Sequence, residues 1–274
     1  MKTGIISSFL SLLIILLIGL GFISPVLAQD INNSSITQEQ LQQGDKIAQQ
    51  AIEAAEKGEF SQAEAYWTQL IETFPTNPAV WSNRGNSRVS QNKLEEAIAD
   101  FNQAIELAPH AADPYLNRGT ALEAQGNYQG AIADYNKVLA LNPNDAMAYN
   151  NRGNAEAGLG QWTEALTDYQ EAAKISPNFA FARANAALAL YQVGKTPEAL
   201  TQMRNLVRKY PMFPDIRAAL TAVLWEMGQQ GEAESNWVAA IGIDNRYQDL
   251  DWVKTIRRWP PQMVVALDKF LNLK

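Results

Sequence analysis

Three Asn-Arg-Gly triplets stand in this sequence: Asn83-Arg84-Gly85, Asn117-Arg118-Gly119 and Asn151-Arg152-Gly153, each 34 residues after the last. Guanidinium groups in such a series could clamp a carboxylate or a phosphate. A second series points elsewhere. Asp100, Asp134 and Asp168 recur at the same interval, and stretches without the Arg also lack the Asp: Gln50 goes with Tyr66, Ala186 with Gln202, Leu220 with Asn236. Joint presence and joint absence fit the structural ion pairs Arg84–Asp100, Arg118–Asp134 and Arg152–Asp168, because a half-buried charge left alone is costly.

The asparagine of the triplet outlasts it. Asn185 continues the series Asn83, Asn117, Asn151 although its neighbours are no longer Arg and Gly. A side-chain amide offers a donor and an acceptor together, so a row of them can match the N–H and C=O of an extended peptide of any sequence. Asn86 and Asn154 lie one helical turn further on and would deepen the polar strip. Solvated polar residues, or caps to neighbouring loops, are the other reading.

Other chemistry is thinly represented. The chain has no cysteine and one histidine, His110, with no relay partner near it in sequence. This excludes thiol nucleophiles, disulfides and cysteine–zinc sites. No phosphate-binding glycine loop and no spaced metal-ligand set occurs, so no catalytic residue, cofactor or metal is expected. A net charge of −7 disfavours nucleic acid as a partner.

These residues must be positioned by a repeated element. Proline recurs at Pro75, Pro109, Pro143, Pro177 and Pro211, and alanine at Ala63, Ala97, Ala131, Ala165, Ala199 and Ala233, always by 34. Four places after each alanine comes Trp67, Phe101, Tyr135, Tyr169, Met203 or Trp237. Glycine recurs at Gly85, Gly119 and Gly153, and a turn glycine at Gly58, Gly126, Gly160, Gly194 and Gly228, with Asn92 standing in once. The pattern resembles the tetratricopeptide repeat, over residues 44–247 as six repeats: 44–77, 78–111, 112–145, 146–179, 180–213 and 214–247. Repeats 2 to 4 match best. In repeats 1, 5 and 6 the first-helix glycine is replaced by Ala51, Ala187 and Thr221, and repeat 6 ends in Asn245 where proline is expected.

The resemblance implies an all-α, right-handed superhelical solenoid of six helix hairpins with a groove lined by first helices. It places Asn83, Asn86, Asn117, Asn151, Asn154 and Asn185 in that groove as a peptide-binding strip, similar to the asparagine ladder of O-linked N-acetylglucosamine transferase. Leu188 and Tyr191, with Phe181 and Trp225, share the groove-facing spacing at the far end. They could hold a bulky client side chain or lie beneath the C-terminal helices. Ala79, Ser82, Asp113, Leu116, Met147 and Asn150 stand where chaperone adaptors of this family carry clamp cations, so a carboxylate clamp is disfavoured.

The flanks carry their own signals. Lys2, an apolar run from Ile5 to Ile23 and Val26-Leu27-Ala28 have the layout of a secretory signal peptide cleaved after Ala28. The run is also about 28 Å long as a helix, enough for an uncleaved anchor. Both readings put the rest of the chain outside the cytoplasm, in a periplasm or thylakoid lumen. The repeat style with an export segment resembles proteins of photosynthetic bacteria. Residues 29–43 read as a polar linker. Residues 248–274 read as capping helices broken at Trp259-Pro260-Pro261, or as a docking element presenting Trp252, Arg257, Arg258 and Trp259. Ten Lys/Arg face twenty Asp/Glu over residues 29–190, against eleven and nine over 191–274, so the two ends differ electrostatically. The expectation is a non-catalytic scaffold or assembly factor gripping an extended protein segment, the alternative a membrane tether or homo-oligomer associating through its ends.

Overall fold

The structure is a computed structural model and describes residues 36–272. The expected signal segment and residues 29–35 of the expected linker lie outside the described residues. Fourteen α-helices and one 3-10 helix, with no strand, make up the described chain. Helix-favouring alanine at the packing positions and glycine or proline at the turns dictate that outcome. No helix among the described residues is long and apolar enough to cross a membrane. The chain divides into two compact halves at Pro143/Asn144.

The N-terminal half holds three antiparallel hairpins: α1 (Gln38–Glu56) with α2 (Phe60–Thr73), α3 (Pro78–Ser90) with α4 (Leu94–Leu107), and α5 (Ala112–Ala124) with α6 (Tyr128–Leu141). The C-terminal half holds three more: α7 (Ala146–Gly158) with α8 (Trp162–Ile175), α9 (Ala180–Gln192) with α10 (Thr196–Lys209), and α11 (Pro214–Glu226) with α12 (Gln230–Ile243). A 3-10 turn (Asn245–Gln248), α13 (Leu250–Thr255) and α14 (Pro261–Asn272) follow.

Helix α1 begins inside the segment expected to be a linker. The Thr37 hydroxyl accepts a hydrogen bond from the Gln40 backbone N–H, and the Gln40 side-chain oxygen accepts one from the Thr37 N–H. This reciprocal capping box offsets the unsatisfied donors of a helix start, and Ile36 and Leu41 pack against the first hairpin's core. At the other end, the helix expected over 248–258 is confined to Leu250–Thr255.

One approach recurs in repeats 2 to 4. A Cβ placed on Gly85 would sit 2.6 Å from the Phe101 ring, on Gly119 2.6 Å from Tyr135, and on Gly153 2.8 Å from Tyr169. The second helix therefore rests its aromatic directly on the backbone of the first. The hairpin turns use Gly58, Gly126, Gly160, Gly194 and Gly228 at positive φ, and Asn92 takes the same conformation at φ 60. Asparagine is among the few other residues that tolerate it.

Residue Gly119→Ala should push the buried Tyr135 ring out of place and lower stability by about 1–3 kcal/mol, the usual cost of overpacking. Thermal melts followed by circular dichroism, set beside Tyr135→Leu and the double variant, should show strongly non-additive losses. Additive losses would mean that the ring and the glycine do not bear on each other.

Candidate functional site

The three Arg–Asp pairs form within their hairpins, from first helix to second. Arg84 Nε and Nη2 donate to Asp100 at 3.0 and 2.7 Å, Arg118 to Asp134 at 2.8 and 2.6 Å, and Arg152 to Asp168 at 2.6 and 2.8 Å. All three aspartates are buried. Two parallel bonds per pair fix both position and angle, so these arginines are not presented to a ligand. Hydrogen bonding to Asp134 and to Asp168 raises the Arg118 and Arg152 guanidinium pKa values further.

A second periodic residue, not singled out in the sequence, completes each pair. Trp81, Tyr115 and Tyr149 stand three places before the arginines, whose guanidinium carbons lie 4.9, 5.7 and 5.4 Å from the ring centres. Trp81 and Tyr115 also donate to the carbonyls of Pro75 and Pro109 in the preceding turn. Arg183 and Arg217 occupy the same repeat position later and donate to Pro177 and Pro211 instead. The 34-residue spacing of these side chains was the available signal.

The residue one turn after the Arg differs from repeat to repeat. Arg88 donates to Asp100 at 2.8 Å and to Glu64 of the preceding hairpin at 2.9 Å. Burial works to raise the Glu64 carboxyl, but bonds from Lys93, Arg88 and Gln91 outweigh it and hold it at about 2. In repeat 4 the equivalent residue is Glu156, where burial and the charge of Asp168 raise the carboxyl to about 7.

The asparagine series behaves differently in the two halves. In the N-terminal half, Asn83 and Asn86 on α3 are half-buried, and their side-chain amides have no hydrogen-bond partner among the described residues. Asn117 on α5 is half-buried, with its Nδ2 3.5 Å from Ser82 Oγ. In the C-terminal half the amides bond to one another. Asn185 Nδ2 donates to Asn150 Oδ1 at 3.1 Å and Asn154 Oδ1 at 3.3 Å, and Tyr169 donates to Asn154 at 3.0 Å. Asn151, expected in the groove, is buried and accepts from Asn150 at 3.3 Å. The Asn150 amide that bonds Asn151 is itself tied to Asn185 of α9, which closes this stretch of α7 against the next first helix.

Leu188 and Tyr191 are corrected in the same way. Both are buried, because α14 packs on α9 and α11, the first helices of the last two repeats. Met263, Ala266, Leu267 and Phe270 form its buried face, with Phe270 edge-on to Trp225 and Trp237 at 5.2 Å each. Tyr191 donates to Glu226, which also receives Lys269 of α14 at 2.6 Å, and the Gln262 N–H donates to Gln192 at 2.9 Å. The docking reading of the C-terminal residues fails for two of its four members. Trp259 is buried, and Arg257 is held by Asp215. Asp215 Oδ1 accepts from Tyr247 at 2.7 Å, Trp259 at 2.9 Å and Arg257 at 3.0 Å. Burial alone would raise this carboxyl. The Arg257 charge and the three donors outweigh it and hold Asp215 below the usual carboxylate range. No periodic signal could have revealed this cluster, because its members lie outside the repeat.

Residues 116–178 match a family model described as tetratricopeptide repeat, and residues 85–126 a second described as TPR repeat. The chain has the tetratricopeptide-repeat fold. A tetratricopeptide repeat protein from Parabacteroides merdae superposes with a TM-score of 0.65 at 19% identity, over 84% of this chain and 93% of its own. YrrB, a TPR protein with an unusual peptide-binding site, superposes at 0.55 with 23% identity, over 74% and 97%. MamA from Desulfovibrio magneticus superposes at 0.56 with 17% identity, over 60% and 93%. No curated protein matches the sequence. The tetratricopeptide pattern extends to hairpins that the family models leave unmatched, since all six share the turn and alanine positions.

Glu156 supplies a pH dependence. Its carboxyl titrates near 7 in the fold against an ordinary 4.5. The folded protein therefore holds a proton that the unfolded chain has lost, and stability falls as pH rises from about 4.5 to 7. Partial exposure screens the effect to about 1 kcal/mol. Residue Glu156→Gln, which copies the protonated form, should raise Tm by about 2–4 °C at pH 8 and leave it unchanged at pH 4. Equal shifts at both pH values would remove titration as the cause.

Proposed function

We propose that this chain is a non-catalytic protein-binding scaffold, and that its client lies as an extended segment along the first helices α3 and α5. One observation carries the reading: the half-exposed amides of Asn83 and Asn86 are unpartnered, and Asn117 is only weakly engaged. A polar group held on a rigid helix and left with free donor and acceptor capacity is suited to a client's backbone. The corresponding amides Asn154 and Asn185 are spent on each other, and so are secondary. The likeness in fold to YrrB, a TPR protein with an unusual peptide-binding site, supports the reading.

The test is selection of peptides from a random display library on the purified protein, with an envelope-fraction pull-down beside it. Joint replacement of Asn83, Asn86 and Asn117 by Ala should weaken binding of the selected peptides at least tenfold, about 1.4 kcal/mol, with melting temperature and helical signal unchanged. Retention of every peptide and partner would remove α3 and α5 as the working face.

We also propose that the protein is exported, as a scaffold or assembly factor of a periplasm or thylakoid lumen. The support is the charged start, apolar run and small-residue pair ending at Ala28. Protein recovered from its natural host should begin at Gln29. A chain that keeps residues 5–23 in the membrane fraction would make the segment an anchor, and a cytosolic chain would end the proposal.

A further inference from the structure

The turn after α8 and the turn after α10 carry an unusual set of side chains. Phe179 belongs to the first, with Phe181 in the opening turn of α9 beside it, and Tyr210, Met212 and Phe213 belong to the second. The turns Ala108–Ala111 and Asn142–Asp145 are small or polar there, and Phe74 in the first inter-repeat turn is fully buried. The two turns form one edge. Tyr210 donates to the Asn178 carbonyl, Lys209 reaches the Asn178 side chain at 2.9 Å, and Phe181 meets Phe213 edge-on at 5.4 Å. Met212 at the tip is 72% exposed and Phe181 43%. Large apolar side chains held in water on a rigid edge mark a contact surface.

The charge around this edge is one-sided. Residues 175–217 contain six Lys/Arg and two Asp/Glu, and one of the acids, Asp215, is buried against Arg257. Arg183, Arg208, Lys209 and Arg217 sit within about a turn of the helix ends here. Their bonds go to the Pro177 carbonyl, Asn205, Asn178, and, from Arg217, the Pro211 carbonyl and Asn236. Each partner is neutral, and none of the four forms an ion pair among the described residues. An apolar tip ringed by uncompensated cations is complementary to an anionic lipid surface. The tip enters the headgroup layer while the cations meet phosphates.

We propose that this edge, with Met212 and Phe181 at its tip and Arg183, Arg208, Lys209 and Arg217 around it, docks on the surface of an anionic bilayer. The proposal is independent of the client face on α3 and α5.

The chain has no cysteine, so Met212→Cys gives a single site for an environment-sensitive fluorophore. Met227→Cys serves as the control. Residue Met227 is 46% exposed but lies past the other end of α11, whose 13 residues span about 20 Å. The full chain is mixed with vesicles of phosphatidylcholine, alone or with phosphatidylglycerol. Because residues 5–23 can enter either bilayer, the local probe rather than co-sedimentation is the readout. The 212 probe should shift to the blue as the phosphatidylglycerol fraction rises and return in about 0.5 M salt, while the 227 probe stays in water. Residues Arg208→Gln and Lys209→Gln together should weaken the response about tenfold or more, with the helical signal intact. The proposal is overturned by equal shifts on both lipids, by equal shifts of both probes, or by indifference to the charge variant. The absence of any shift at 212 overturns it too, and leaves the edge as a surface for another protein.

Discussion

Everything in this fold depends on how closely the second helix of a hairpin can approach the first. A ring lies against bare glycine backbone at Gly85, Gly119 and Gly153, at a distance that no Cβ would allow. That contact sets the hairpin's crossing, and the crossing aligns each Arg with its Asp sixteen residues later. The pair then becomes a structural element rather than a clamp. A buried carboxylate without its guanidinium would cost about 3–5 kcal/mol, so the series survives in a repeat only when both members do. The aromatic before each Arg covers the pair, and Trp81 and Tyr115 also bond the preceding turn, joining hairpin to hairpin in the N-terminal half.

Where the glycine is absent, the chain uses a different solution. Helices α9 and α11 are apolar on nearly every side. Such helices must be enclosed, and α14 encloses them through Met263, Leu267 and Phe270. The Asp215 cluster locks the connecting segment in place with three groups, Tyr247, Arg257 and Trp259, that share one buried carboxylate. The first helices of repeats 5 and 6 thus serve as core. Those of repeats 2 and 3 keep unspent amides.

The hairpins were legible in the sequence because their constraints are local and recur: turn glycines, packing alanines, terminal prolines and the Arg–Asp interval all keep one phase. The single substitution of Asn92 for glycine was readable for the same reason. The capping box at Thr37-Gln38-Glu39-Gln40 was also present as a short motif, yet the polar composition around it read as linker. What could not be read were contacts between segments with no common period. The burial of Leu188 and Tyr191 depends on a helix some seventy residues later, and the spending of Asn154 and Asn185 on one another depends on side-chain rotation within a fixed backbone. Asn151 holds the same repeat position as Asn83 and Asn117, and its burial beside Asn150 had no counterpart in the spacing. Groove spacing shows which residues could face a client, and only tertiary packing shows which of them remain available.

The late position of α14 in the chain has a consequence for biosynthesis. Each hairpin closes over fewer than forty residues and can form as soon as it is made, since local contacts close fast. The inner surface of α9 and α11 is different. Its cover is α14, so a growing chain carries two nearly finished apolar helices with no lid until residues 261–272 have been produced. During that interval the nascent protein resembles an unfolded one to any holdase or protease that scans for greasy surface. Premature termination before Met263 would yield not a slightly shorter array but a product permanently marked for disposal.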